Sequence, residues 1–247
     1  MKTNIENKNV LYIIIPAYNE EINIGQCIRD WYPIVEKYSG GGESRLVIID
    51  DGSKDNTYSI MQEYAKIYSL FQPLTKENGG HGETILYGYR YAIENKADYI
   101  FQTDSDGQTN PKEFDQFWQV KEEYDAVIGK RLVRKDGKCR KYVEDVVCFL
   151  LWIFFGVRVK DANAPFRLMK AFLVDKYIGE LPEDFNIPNI MLTAYFIYYH
   201  EKVKFIPITF KPRKAGKNSV NLMKIVRIGW RGVGDFWKFR KKMMVGK

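Results

Sequence analysis

Two carboxylates one residue apart, Asp104 and Asp106, are the side chains in this chain best placed for chemistry. They follow the apolar run 99–101. Residues two apart on a strand point the same way, so both carboxylates can converge at the carboxyl edge of a sheet, where open α/β sheets bind ligands. Mg²⁺ and Mn²⁺ favour carboxylate and phosphate oxygens, and a Mg²⁺ site commonly uses one or two carboxylates plus substrate phosphates. The pair predicts a site for a divalent cation that carries a diphosphate.

The pair also has a plainer interpretation, because many Asp-x-Asp pairs are solvated turn residues. The residues that follow support a structured turn. Asn110, Pro111 and Glu113 have the pattern of an N-cap, a first-turn proline and a capping-box acid. The two carboxylates therefore lie where a strand ends and a helix begins.

Short apolar runs alternate with longer helix-compatible stretches through the first two-thirds of the chain. The runs predict strands at 10–15, 46–49, 99–101 and 126–128. The stretches between them predict helices at about 21–38, 56–68, 83–95 and 111–123. This alternation is typical of a doubly wound α/β domain.

Polar residues also follow the first two predicted strands. The first runs into Tyr18 and Glu20, and the second into Asp51. Asp51 can accept a nucleobase N–H, Tyr18 can pack on the ring, and Glu20 can bond the ribose or fix its loop. Taken singly, a sequence such as 50–55 is also typical of a turn and helix cap; three such strand ends in one sheet favour a nucleotide site.

Composition limits the number of domains and the cellular setting. With 247 residues and 45% hydrophobic content, the chain can bury one substantial core, so we expect one catalytic domain at 1–219 and an appendage at 220–247. Three separated cysteines and two histidines give no zinc pattern, which favours a reducing compartment. We expect no signal peptide, and the longest apolar run, 146–155, is shorter than the roughly 20 residues that span a bilayer.

The predicted appendage is basic and aromatic. On a helix from Leu222, one stripe is apolar and the opposite one basic; the apolar residues are Ile225, Val226, Trp230, Val233, Phe236 and Trp237, and the basic ones Lys224, Arg227, Arg231, Lys238 and Lys242. This pattern predicts an amphipathic helix on an anionic membrane surface. A helix docked on the catalytic core is the alternative, while a nucleic-acid surface is disfavoured because no reader motif accompanies the charge. The 143–155 segment is predicted as either a second interfacial helix or a buried one.

Three motifs, at 15–21, 49–55 and 103–108, together resemble the inverting family 2 glycosyltransferases. The resemblance implies the GT-A fold, an α/β fold in which helices flank a Rossmann-like, nucleotide-binding mixed sheet, here with a C-terminal amphipathic helix. Within the family, the chain is most similar to the dolichyl-phosphate mannose synthase and bacterial polyprenyl-phosphate glycosyltransferase branch.

That resemblance implies a donor site. The nucleoside would be held by Pro16, Tyr18, Glu20 and Asp51. Metal and diphosphate would be held by Asp104, the backbone of Ser105, and Asp106. The arginine of the 129–131 segment, Arg131, matches a donor-binding arginine.

Two later segments extend the match. Residues 161–169 are similar to an Asp-x-x-Ser-Gly-Phe-Arg motif near the acceptor, with Ala-Pro in place of Ser-Gly, which implies acceptor-region roles for Asp161 and Arg167. Residues 211–219 match a basic loop that closes over the diphosphate, with Arg213 and Ser219 at ligand positions. Mannose synthases carry lysine where this chain has Ser219.

The implied reaction is metal-dependent, inverting transfer of a hexose from a UDP- or GDP-linked sugar to a polyprenyl phosphate. We expect the enzyme on the cytoplasmic face, peripherally bound to the membrane. Asp106 and Arg213 would stabilise the charge that develops on the leaving diphosphate. The runner-up is transfer to a saccharide or lipid hydroxyl, for which Asp184 resembles the base of hydroxyl-acceptor relatives; an acid before a helix is also often only a cap.

Two other classes fit less well. A sugar nucleotidyltransferase would need a Gly-rich triphosphate loop after the first strand, and 16–21 is a different loop. The glycines at 79–82 also lack the Gly-Lys-Ser/Thr ending of a P-loop, so they predict a tight turn beside the nucleotide, with His81 as a minor contact. A non-catalytic membrane adaptor would not depend on Asp104 or Asp106.

Overall fold

The computed structural model describes residues 9–131, 138–159, 161–212 and 234–241, and for 138–143 the backbone alone. Seven strands form one sheet within these ranges. They are β1 (Leu11–Ala17), β2 (Arg45–Asp50), β3 (Phe71–Thr75), β4 (Tyr99–Thr103), β5 (Ala126–Arg131), β6 (Phe166–Lys170) and β7 (Val203–Ile208). Every residue of β1 and β4 is buried, as their near-continuous apolar runs predict.

The sheet is mixed, in the order β3-β2-β1-β4-β6-β5-β7. β6 runs antiparallel to both neighbours, β4 and β5, while the other pairings are parallel. The remaining strands therefore all point the same way. Their carboxyl ends and the start of β6 lie along one edge, which collects the loops that follow each strand.

Helices cover both faces of the sheet. They are α1 (Ile24–Lys37), α2 (Thr57–Ala65), α3 (His81–Glu94), α4 (Phe114–Trp118), α5 (Lys138–Phe155), α6 (Ala171–Ile178) and α7 (Pro188–Tyr198), with a further helical stretch, α8, at 234–241. One apolar cluster packs α1, α2 and α4 on one face. The other packs α3, α5, α6, α7 and α8 on the opposite face. The doubly wound arrangement predicted from the alternation is confirmed.

The four predicted strands are present, and each extends one to three residues beyond the apolar run that predicted it. The prediction missed β3, which contains Pro73, a residue that is unusual in strands. In the fold β3 is an edge strand, where proline is tolerated. The helix predicted at 111–123 is shorter: a 3₁₀ turn, Pro111–Glu113, leads into α4, which ends at Trp118.

The N-cap at Asn110 is present, since its side chain accepts from the backbone N–H of Lys112 at 3.4 Å. The capping-box role predicted for Glu113 is wrong. Its carboxylate instead accepts from the backbone N–H of Thr209 at 3.1 Å, just after β7. Glu113 therefore anchors the segment that follows the last strand, a long-range contact that local spacing does not reveal.

Part of the predicted appendage falls in the described chain. In α8, Phe236 and Phe239 are buried against the core, and the Phe236 ring lies 5.6 Å from that of Phe155. One face of the helix at 234–241 therefore packs on the core, while Trp237 on the other face is exposed. Arg213, Ser219 and the rest of the predicted amphipathic helix lie outside the described residues. Among the helices described, none is both long enough and apolar enough to cross a bilayer.

Candidate functional site

The acid loop, 104–109, leaves β4 at the carboxyl edge of the sheet. Its ends are joined by a 2.8 Å hydrogen bond between the hydroxyls of Thr103 and Thr109. Asp104 and Asp106 are both half-buried. Asp106 Oδ1 accepts from the backbone N–H of Gln108 at 3.1 Å, and Asp104 Oδ1 accepts from Gln102 Nε2 at 3.3 Å. Both carboxylates lie in the loop after β4, which ends at Thr103, so their convergence on one cation stays a prediction.

The donor set suits a hard divalent cation that brings its own oxygens. Within the described ranges no group of three or more His, Cys, Asp or Glu side chains could hold a metal by itself. Two carboxylates can hold Mg²⁺ or Mn²⁺ when the substrate supplies phosphate oxygens. Asp104 and Asp106 are the residues that would hold such an ion, and it would be held together with a diphosphate.

The loops after β1 and β2 are tied to each other. Asn19 sits in the left-handed region with φ of 52°; its N–H donates to Ser53 Oγ and its Oδ1 accepts from Lys54 N, both at 2.9 Å. Glu20 is buried, and its N–H donates to Thr57 Oγ1 at 2.8 Å. These bonds fix Glu20 in its loop and leave Tyr18 half-buried at the site edge.

The carboxylate of Asp51 organises the glycine loop that precedes α3. Its Oδ1 accepts from Gly79 N and Lys76 Nζ, and its Oδ2 accepts from Gly80 N, each at 2.9 Å. Lys76 Nζ also lies 2.9 Å from Glu83 Oε1. Oδ2 accepts one of the described bonds, so it retains a lone pair that can receive a nucleobase N–H. Asp51 therefore has a structural role in this loop, and its role in base recognition stays a prediction.

The first turn of α3 reaches the acid loop and a second loop that contains Asp184. His81 Nε2 lies 3.8 Å from Asp104 Oδ1. Gly82 packs so closely on the backbone after Asp184 that an added Cβ would stand 2.3 Å from Phe185 O. The exposed Asp184 is thereby held beside α3 at the same edge of the sheet.

Arg131 and Asp161, predicted for donor and acceptor, form one buried ion pair. Arg131 Nε and Nη2 donate to Asp161 Oδ2 and Oδ1 at 2.8 and 2.6 Å. Glu144 of α5 lies 3.6 Å from Nη2, and the guanidinium stands 5.1 Å from the Phe210 ring centroid. Burial alone would raise the pKa of Asp161, but hydrogen bonds with Arg131 and Glu144 outweigh it and hold the pKa below its ordinary value.

Arg167 is fully buried beneath the 161–165 loop. Its guanidinium donates to the carbonyls of Ala164, Ala162 and Asn189 at 3.0 to 3.3 Å. Burial lowers the pKa of Arg167, although an arginine remains charged in a protein. In this position the side chain supports the predicted acceptor loop from below.

The segment leading to the predicted basic loop is bound to the acid loop. Gln108 Nε2 donates to Lys211 O, and Lys211 N donates to Gln108 O, both at 2.8 Å. Arg213 is two residues further on, outside the described residues. Sequence reasoning missed Gln108 as a site residue; its place two residues after Asp106 was the only local signal.

Buried Cys27, on α1, lies underneath the site. Burial raises the pKa of its thiol, and the carboxylates of Asp30, Asp106, Glu20 and Asp104 raise it further. Acids that follow β1 and β4 therefore lie close enough to Cys27 to act on the same thiol.

Comparisons with known proteins place the sequence in a family. Residues 12–178 match the sequence model of Glycosyl transferase family 2. An uncharacterized protein of Methanocaldococcus jannaschii is 31% identical over 179 residues, which cover 68% of this chain and 75% of that protein. The undecaprenyl-phosphate 4-deoxy-4-formamido-L-arabinose transferase of Proteus mirabilis is 23% identical over 229 residues, covering 92% of this chain and 67% of that one.

Solved structures share the fold. Glucosyl-3-phosphoglycerate synthase of Mycobacterium tuberculosis, crystallised with Mn²⁺, UDP and phosphoglyceric acid, superposes with a TM-score of 0.66 at 18% identity, over 94% of this chain and 78% of that one. TarS of S. aureus with UDP-GlcNAc gives a TM-score of 0.60 at 16% identity, over 92% and 66%. The mixed sheet flanked by helices is thus of the GT-A type.

Proposed function

The chain belongs to glycosyl transferase family 2, and from this premise we propose that it transfers a hexose, with inversion, from a UDP- or GDP-linked sugar to a polyprenyl phosphate. The enzyme would work at the cytoplasmic face of a membrane, bound peripherally to the anionic surface. The acceptor is supported by relatives that are undecaprenyl-phosphate transferases and align over most of this chain.

One arrangement supports the proposal: the acid loop after β4 and the Asp51 carboxylate after β2 lie at the same edge of the sheet, on either side of β1. Asp51 would receive the base N–H, Tyr18 would pack on the base, and Glu20, buried beside Thr57, would hold the ribose end. Asp104 and Asp106 would hold Mg²⁺ or Mn²⁺, which when bound neutralises charge developing on the leaving diphosphate. Arg213, which follows the Gln108–Lys211 contact, would add a second positive charge there.

The acceptor determines whether a base is needed. A phosphate monoester has a second pKa of roughly 6 and is mostly dianionic at neutral pH, so it can attack without losing a proton to the protein. Asp161, in the region proposed for the acceptor, forms an ion pair with Arg131, which would help to bind the donor at the end of β5. A single attack from the face opposite the diphosphate inverts the anomeric carbon.

Transfer to a hydroxyl is the second candidate, because the Gly82 contact holds Asp184 beside the first turn of α3. There Asp184 would serve as the base. The two candidates share a donor site and differ in the product they predict.

The test is an incubation of the full chain with Mn²⁺, radiolabelled UDP- and GDP-hexoses and undecaprenyl phosphate in detergent. We expect an organic-soluble sugar lipid that Asp104→Ala and Asp106→Ala lower by roughly 10²- to 10³-fold, the scale for losing a group that stabilises transition-state charge. Asp175→Ala, an exposed acid of α6, is the matched control and should retain activity. Label found only on a saccharide or a diacylglycerol hydroxyl would establish the second candidate instead.

Nucleotide identity is measured separately by thermal shift with UDP and GDP, with and without Mn²⁺. A ligand at roughly 100 times its Kd adds about 2.7 kcal/mol to the free energy of unfolding. We expect one of the two nucleotides to raise the melting temperature, and to do so more strongly with Mn²⁺. No shift with either nucleotide would contradict the donor assignment.

A further inference from the structure

Helix α5 is apolar on two faces. Leu151 and Phe155 are buried in the core, whereas four large apolar side chains, Val146, Phe149, Trp152 and Ile153, are 38 to 55% exposed. The four are spaced three, three and one residues apart, so they form one outward stripe. Phe149 and Trp152 are neighbours on that stripe, with ring centroids 5.9 Å apart. A stripe of this size facing water indicates an interaction surface.

Helix α8 extends this stripe with a fifth exposed side chain, Trp237, which is 55% exposed. Its ring lies 6.4 Å from that of Phe154, and Arg240 Nη1 donates to Ile153 O at 3.3 Å. The buried Phe236 and Phe239 hold α8 in place from the other side. The five exposed residues, Val146, Phe149, Trp152, Ile153 and Trp237, are called the outer aromatic patch below.

Basic side chains border the outer aromatic patch. Lys238, Arg240 and Lys241 are exposed on α8, and Lys241 Nζ stands 5.8 Å from the Trp237 ring centroid. The sequence from 211 to 247 contains twelve Lys and Arg residues and a single acid, Asp235. Apolar aromatics bordered by lysine and arginine match the two layers of an anionic lipid surface, acyl chains below and phosphates above.

The outer aromatic patch begins next to the candidate site. Val146 is two residues after Glu144, which contacts Arg131 at the carboxyl edge. Helix α5 therefore connects the exposed stripe to the Arg131–Asp161 ion pair, whose Asp161 belongs to the proposed acceptor region. A lipid surface on this stripe would hold the phosphate of a membrane-embedded acceptor near that edge.

We propose that the outer aromatic patch is the membrane-binding surface of this enzyme, with α5 and α8 lying in the interface of an anionic bilayer. The inference rests on the proposed function for its acceptor, and it adds which residues make the lipid contact. Pairing with a second copy is disfavoured, because a two-fold interface would bring the same basic border against itself.

The test is sedimentation of the full chain with sucrose-loaded vesicles of phosphatidylcholine, with and without phosphatidylglycerol, and no donor or acceptor. We expect binding to the anionic vesicles that weakens with added salt. Phe149→Ser with Trp152→Ser, and separately Trp237→Ser, should each lower the partition coefficient by roughly tenfold or more, because large apolar side chains no longer enter the interface. Phe172→Ser is the matched control, since Phe172 is 60% exposed on α6 at the opposite edge, and should bind like the parent.

Circular dichroism and the thermal shift with nucleotide verify that each variant folds. Equal vesicle binding by parent and patch variants would overturn the proposal, as would no binding by the parent. A concentration-dependent dimer that the same substitutions abolish, with vesicle binding unchanged, would assign the patch to self-association. The vesicle assay contains no sugar donor or acceptor. Its outcome is therefore independent of whether the proposed transfer reaction is observed.

Discussion

Asn189 Nδ2 donates a hydrogen bond to Gln102 Oε1 over 2.9 Å, joining helix α7 to strand β4 inside the core. Each of the two side chains makes a further hydrogen bond. Tyr89 OH donates to Asn189 Oδ1 at 3.0 Å, and Gln102 Nε2 donates to Asp104 Oδ1 at 3.3 Å. All but Asp104 are buried, so this chain of hydrogen bonds orients the carboxylate proposed to bind the metal, starting from the helix beyond the Asp184 loop.

We predict that Gln102→Leu weakens metal-dependent nucleotide binding. Asp104 would lose its donor, and Asn189 Nδ2 would be left buried without its acceptor. The free energy of unfolding should fall by about 1–3 kcal/mol, and affinity for the nucleotide in the presence of Mn²⁺ by about 10- to 100-fold. Calorimetric titration with and without Mn²⁺ measures the change. Gln72→Leu, on edge strand β3, is the control, and an unaltered Mn²⁺ dependence in Gln102→Leu would contradict the orienting role.

Gly82→Ala should displace the Asp184 loop. The added Cβ would stand 2.3 Å from Phe185 O and 2.5 Å from Asn186 C, and both are backbone atoms that cannot rotate away. Overpacking of this kind costs about 1–3 kcal/mol, measurable by urea denaturation, and we expect kcat to fall as well. At Gly179, after α6, an added Cβ meets nothing within 4 Å, so Gly179→Ala should be neutral or slightly stabilising. Similar stability in the two variants would show that the loop adjusts at no cost.

Arg131→Ala should destabilise the fold strongly. The substitution leaves the Asp161 carboxylate buried without its bidentate partner. Breaking a buried pair in this way lowers the free energy of unfolding by about 3–5 kcal/mol. Chemical denaturation at neutral pH measures it. Arg131→Lys keeps the charge but not the planar fork, so we expect an intermediate loss.

The same ion pair predicts a pH dependence of stability. Because the folded pKa of Asp161 is depressed below its unfolded value of about 3.9, the folded state binds fewer protons there. Its stabilisation is fully present above that value and is lost as the pH falls through the folded pKa. Denaturation curves between neutral and acidic pH should show a steeper acid loss for the parent than for Asp161→Asn. Parallel curves would contradict this assignment.

Asp184→Asn distinguishes the two candidate acceptors. A phosphate acceptor needs no base, so turnover with polyprenyl phosphate should stay within a few-fold of the parent. The rate of both proteins should then fall together below about pH 6, as the acceptor phosphate becomes protonated. Steady-state rates across that range, with nucleotide binding measured in parallel, give the answer. Abolished turnover with intact nucleotide binding would favour a hydroxyl acceptor and a catalytic Asp184.

The parts of the site that local sequence predicts are those built from one strand and its loop. The apolar runs of β4 and β1 end just before Asp104 with Asp106 and before Glu20. A buried parallel strand is apolar along its length and is followed by polar residues where it leaves the sheet. The alternation of strands and helices fixed the fold class in the same way. Strand β3 was not predicted; its Pro73 is tolerated because the strand lies at the edge of the sheet, a position that only the fold shows.

Partnerships between distant segments were decided by the tertiary structure alone. Gln108 meets Lys211 across 103 positions, and Tyr89 meets Asn189 across 100, so no local pattern contains either contact. The motifs placed Arg131 with the donor and Asp161 with the acceptor, yet packing of β5 against the 161–165 loop makes them one ion pair. Residue type and spacing thus determined which groups reach the carboxyl edge. Which of them are neutralised, oriented or buried there depended on the burial and hydrogen bonding that only the packed chain supplies.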